Sequence, residues 1–119
     1  MNYSSSAISE AQVPRAGVPL LQHCIDTYAS ETNKVISVWA CFFDGDLEYR
    51  PHPRSASVGD IMKHQLLSER RFFGEFLGSP EISADQVVPR ELTAERLRNR
   101  MLELALPHLT FLTKHDESW

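Results

Sequence analysis

The side chains with the widest chemical reach lie between Tyr49 and Gly78, in the stretch YRPHPRSASVGDIMKHQLLSERRFFGEFLG. Within it His64, Ser68, Arg71 and Glu75 recur at steps of four, three and four, so they share one stripe of a helix. Such a stripe either lines a polar cavity or faces solvent. A histidine in the middle of it is either hydrogen-bonded to a neighbouring helix or one arm of a metal site. In a catalytic site, three protein ligands and an open position let a divalent ion activate a water or thiol, and one imidazole alone does not hold an ion. Glu69 lies towards Phe72, Phe73 and Phe76. A carboxylate among rings is a candidate general base. The plainer alternative is an ion pair with Arg70, Arg50 or Arg54.

Other reactive types carry weaker signals. His108 and His115 share the apolar face of a later helical segment. Seven residues advance a helix by about 10.5 Å, too far for both to bind one ion at bonds of about 2 Å, so both are expected as core or interface histidines. His23 adjoins Cys24, but neighbours on a helix do not face each other, which disfavours a thiolate–imidazole pair. His52 reads as a loop residue, and Tyr49 and Trp39 as packing residues. There is no glycine-rich phosphate loop, no Gly-x-Ser-x-Gly elbow and no Cys-x-x-Cys.

Three amphipathic helices are expected to position these groups. The first spans 19–43: Pro19 suits a first turn, and Leu21, Cys24, Ile25, Tyr28, Thr32, Val35, Trp39 and Phe42 form the stripe. Its end is set by Asp44-Gly45-Asp46. The second spans 58–77, with Ser57 and Asp60 as a capping pair and Gly78 as the stop. The third spans 93–114 along Leu97, Met101, Leu104, His108, Phe111 and Leu112, with a kink expected at Pro107. Residues 47–56 and 79–91 read as connections, and residues 1–17 as a flexible polar leader. The expected class is all-α, a single helical-bundle domain over 18–119. Three helices leave part of an apolar stripe uncovered, and the chain reaches Trp119 without a polar taper. A homodimer, or a further helix beyond Trp119, is expected to cover it.

Composition excludes some classes. A net charge of −4 lacks the basic face that neutralises phosphates, and Arg90, Arg96, Arg98 and Arg100 are interleaved with Glu91, Glu95 and Glu103, so no nucleic-acid partner is expected. No run approaches the roughly 18 to 20 apolar residues of a membrane span, and the polar start has no signal-peptide core. Cys24 and Cys41 are expected on one helix, roughly 25 Å apart and unable to pair. Two buried free thiols suit a reducing cytoplasm.

The ordered combination of Tyr49-Arg50-Pro51-His52-Pro53, Ser57-Val58-Gly59-Asp60-Ile61, His64, and Ser68-Glu69-Arg70 with Phe72-Phe73 resembles the DinB-like (damage-inducible) four-helix-bundle family over about thirty residues. The resemblance implies an up-down-down-up bundle, often homodimeric, with a divalent metal (Zn, Ni, Fe or Mn) held by three histidines. One lies on the second helix, which His64 matches, and two lie on the fourth. That fourth-helix pair has no match here, because His108 and His115 belong to the third helix. The activity implied is a metal-dependent transferase or hydrolase using a small thiol or acting on a hydrophobic substrate. A non-catalytic, dimeric helical binding or stress-response protein is the alternative.

Overall fold

The computed structural model describes residues 7–115. They form an all-α architecture of three long helices, α1 (Pro19–Trp39), α2 (Val58–Arg71) and α4 (Ala94–Thr113), with a four-residue helix α3 (Ala84–Val87) between the last two. No strand occurs among the described residues. The apolar stripe of α4, with Leu97, Met101, Leu104, Ala105, Leu109 and Leu112 buried, packs against α1 and α2, which make little contact with each other. An open groove therefore separates α1 from α2 above α4.

α1 ends four residues before its expected limit. Beyond Trp39 the backbone tightens into i→i+3 bonds, Cys41 N–H to Val38 O at 3.0 Å and Phe42 N–H to Trp39 O at 3.1 Å. The aspartates explain the stop. Asp46 Oδ2 accepts from Phe43 N–H at 2.8 Å, and Asp44 Oδ1 accepts from Ala94 N–H at 2.8 Å, so this turn covers an orphan donor at the start of α4. Cys41 thus falls outside the helix, and both thiols are exposed rather than buried. Trp39 is buried as expected, with its indole N–H 3.2 Å from Gln65 Oε1, whereas Tyr49 is 61% exposed and packs little.

α2 opens with the anticipated capping box. Ser57 Oγ accepts from Asp60 N–H at 3.1 Å, and Asp60 Oδ2 reaches back to Ser57 N–H at 3.4 Å. Gly59 allows a close pass, because a Cβ there would sit 3.1 Å from the Leu47 carbonyl oxygen. After Arg71 the helix widens into a π turn over Phe72–Phe76, closed by Leu77 N–H to Phe72 O at 3.3 Å. Gly78, at φ 76°, then reverses the chain in the left-handed region. Phe73 is turned inward while Phe72 and Phe76 stay exposed.

Residues 79–93 fold back over α2 and α4. Val87 of α3 is fully buried, and Arg100 Nη1 donates to the carbonyls of Gln86 at 2.6 Å and Val87 at 3.3 Å. α4 is capped by Thr93 Oγ1, which accepts from Arg96 N–H at 3.1 Å, and runs unbroken through Pro107.

The expected flexible leader needs correction over its described part. Ile8 is 2% exposed against Ile25 and Ala29 of α1, and its backbone is held twice by Asn33, through Ile8 N–H to Oδ1 at 2.8 Å and Nδ2 to Ile8 O at 3.0 Å. Residues 1–6 of that leader, and 116–119 at the other end, lie outside the described residues.

Asp60 has its carboxyl held down to about 2, first by the hydrogen bond from Lys63 and then by those from Ser57. A folded-state value below the unfolded one stabilises the fold at neutral pH, and the contribution is lost as pH falls from about 4 through about 2. Asp60→Asn is therefore expected to lower stability at pH 6 and to flatten its decline between pH 4 and 2, as read from urea midpoints along that series. Parallel declines in both proteins would contradict this.

Candidate functional site

His108 occupies a core position of α4 and is 1% exposed. A buried imidazole must find hydrogen-bond partners, because leaving its nitrogens unpaired costs about 1–3 kcal/mol each. Both find carboxylates. Nδ1 lies 3.0 Å from Glu69 Oε1 on α2, and Nε2 makes a shorter contact to Glu81 Oε1 on the connection after it. Phe73 stacks on the ring at a centroid distance of 3.7 Å and 3° between planes, which fixes its orientation. Tyr28 of α1 meets Phe73 edge-on at 5.3 Å. The Tyr28 hydroxyl donates to Glu69 Oε1 and lies 3.2 Å from His108 Nδ1.

Local sequence explains how these residues meet. The π turn brings Phe73 onto the ring. Gly74 clears the path of the connection, because a Cβ there would stand 3.2 Å from Glu81 Cγ. Arg70 Nε donates to Ile82 O at 2.5 Å and pins the neighbouring residue. Burial, then the negative charge of Glu69, pushes the Tyr28 phenol well above its ordinary range. It stays protonated and donates. The expected arginine partners of Glu69 are replaced: Arg70 binds a carbonyl, Arg50 pairs with Asp60 at 3.2 Å, and Arg54 is exposed.

The protons of this cluster can be counted. A neutral imidazole carries one N–H, yet two carboxylates each share a hydrogen bond with it. One proton must lie in each link, wherever it resides, and the three groups together then carry a formal charge of −1. Glu69 accepts both of its hydrogen bonds on Oε1, and its side chain is 20% exposed. The unit thus presents a carboxylate towards the groove and is otherwise buried.

The groove has two connected parts. Around Glu69 it is a cavity of about 420 Å³ lined by Tyr28, Thr32, Ser68, Phe72, Phe73 and Met101. Towards the other end it becomes an apolar trough of about 470 Å³ along Val38, Trp39, Phe42, Val58, Ile61 and Met62. Glu31, Val35 and Gln65 border both parts.

The remaining candidate residues do not join this cluster. His64 is exposed on the flank of α2, with Nε2 3.5 Å from Ser68 Oγ. Arg71 and Glu75 of the same stripe are exposed and pair with each other at 3.0 Å, so that stripe is a solvated face. His115 Nδ1 lies 3.0 Å from Phe111 O, and His52 Nδ1 accepts from Arg54 N–H at 3.1 Å. Among the described residues no group of three His, Cys, Asp or Glu side chains is placed to hold a metal ion. The cluster itself is unsuited, because Glu69 and Glu81 approach opposite nitrogens of one ring.

Sequence reasoning singled out Glu69 and His108 separately and missed Glu81 and the hydroxyl of Tyr28. The available signal was His108 itself: an imidazole on an apolar helix face needs two partners, and PEIS (80–83) supplies an acid close after α2. No protein-family model, curated protein or solved structure matches the chain.

Glu81→Gln leaves the fully buried imidazole against an amide and should cost about 3 kcal/mol of unfolding free energy by urea denaturation at pH 7. A cost below about 0.5 kcal/mol, the scale of an ordinary surface substitution, would show that the cluster does not hold the fold together.

Proposed function

We propose that this chain is a helical-bundle binding protein whose groove between α1 and α2 receives an elongated apolar ligand. The observation that carries the reading is the groove itself: two helices seated on a third with an apolar trough between them, walled by Trp39, Phe42 and Ile61. Apolar surface left open between packed helices gains about 25 cal/mol per Å² when a ligand covers it, and clefts between helices are common sites for small apolar molecules. No helix among the described residues is long and apolar enough to cross a membrane.

Dodecanol should bind with one-site behaviour, read by the fluorescence of Trp39 in a Trp119→Phe background. Val38→Glu, which places a charge in the wall at a partly exposed position, should weaken that binding at least tenfold. Undiminished binding in a folded Val38→Glu protein would place the ligand elsewhere.

The resemblance to the DinB-like family supports a second reading: a homodimeric metal-dependent transferase or hydrolase of the cytoplasm with His64 as one ligand. The exposed ring of His64, held only by a long contact to Ser68, favours it. The described residues supply no further ligands around it, so a second copy or additional chain would have to provide them. Natively purified protein should then contain stoichiometric divalent metal, run as a dimer in light scattering, and lose metal affinity at least tenfold on His64→Ala. Metal-free monomer would remove this reading.

A further inference from the structure

We infer that the ligand of this groove is an amphiphilic organic cation, its ammonium seated against Glu69 and its apolar body lying along the trough; the inference rests on the groove reading above. Three observations converge on it. The cavity at Glu69 is bounded by Tyr28, Phe72 and Phe73, and neither lysine nor arginine lines it. Aromatic walls with a carboxylate at their base suit an ammonium, which is drawn to ring faces as well as to the anion. The other acid at the border, Glu31, already pairs with Lys34 at 2.7 Å, which leaves Glu69 as the anionic partner.

The second observation is the charge count. Glu69, His108 and Glu81 carry −1 for any placement of their shared protons, and none of their hydrogen bonds or ion pairs is to a lysine or arginine. A buried anionic unit without a cationic side chain is costly, and a bound cation relieves that cost. The third is direction. Tyr28 and His108 both engage Oε1 of Glu69, and the exposed fraction of that side chain opens on the cavity. From there the groove continues past Val35 and Gln65 into its apolar half. An alkyl chain with one cationic end matches that sequence of surfaces, and a carboxylate-headed chain of the same length is repelled.

The test is isothermal titration with dodecylammonium, dodecanol and dodecanoate, each below its micellar concentration. Salt of about 0.3 M screens the chain's general negative charge. The expected order is ammonium at least tenfold tighter than alcohol at one site, and alcohol tighter than carboxylate. In Glu69→Gln the ratio of ammonium to alcohol affinity should fall to near one. Ammonium binding no tighter than alcohol, or an advantage that survives Glu69→Gln, overturns the inference and leaves the groove reading standing. If dodecanol does not bind but ammonium does, and depends on Glu69, the cation seat holds and the apolar-trough reading falls. If none of the three binds, both fall. Should Glu69→Gln fail to fold by circular dichroism, the ranking on the unsubstituted protein decides.

Discussion

One imidazole ring, placed where a leucine would otherwise pack, organises this structure. His108 sits on the inner face of α4 and can be buried only if both nitrogens are satisfied. The satisfying groups come from α2 and from the connection after it, and the tyrosine that closes the network comes from α1. Four segments are thereby tied at a single point. Hydrogen bonds to charged groups contribute about 1.5–3 kcal/mol each when buried and well formed, so the arrangement holds the connection in place far more firmly than its short helix would. The stacked Phe73 and the edge-on Tyr28 keep water from the ring.

The groove follows from the same geometry. α4 is the central element, and each of the other long helices rests on it more than on its counterpart. The cluster closes the space at one end with polar atoms, and the rest remains lined by Trp39, Phe42, Val58 and Ile61. A polar, anionic end grading into an apolar trough is what a recognition site needs to orient a ligand: the apolar part supplies affinity, and the charged end supplies direction.

Much of this architecture was legible in the sequence. The stripes of three amphipathic segments, the Ser57 cap and the Gly78 stop located the long helices, because periodicity and capping are local properties. The end of α1 was misplaced because the apolar run VISVWACFF continues past it, and the turn that ends the helix serves α4, a long-range relation invisible in a window of residues. α3 has four residues and no period to detect. The binding of Ile8 by Asn33 was hidden for a similar reason: an isolated isoleucine in a polar stretch gives no pattern. At the site, Glu69 and His108 drew attention one at a time, through their neighbours in sequence. Their meeting depends on the connection folding back, and Glu81 lies in an extended stretch that carries no periodic signal.

The π turn at Phe72–Phe76 gives the helix one residue more than a regular α-helical path would hold. Deleting any one of these five residues would restore the common winding and rotate all that follows by about 100°, since 3.6 residues make a full turn. Glu81 would then leave the chain on a different side of the bundle, and the ring of His108 would lose its second acceptor. This segment is consequently a register device, in which length matters more than side-chain identity, and the most damaging lesion here is a three-nucleotide loss rather than an exchange of one amino acid for another.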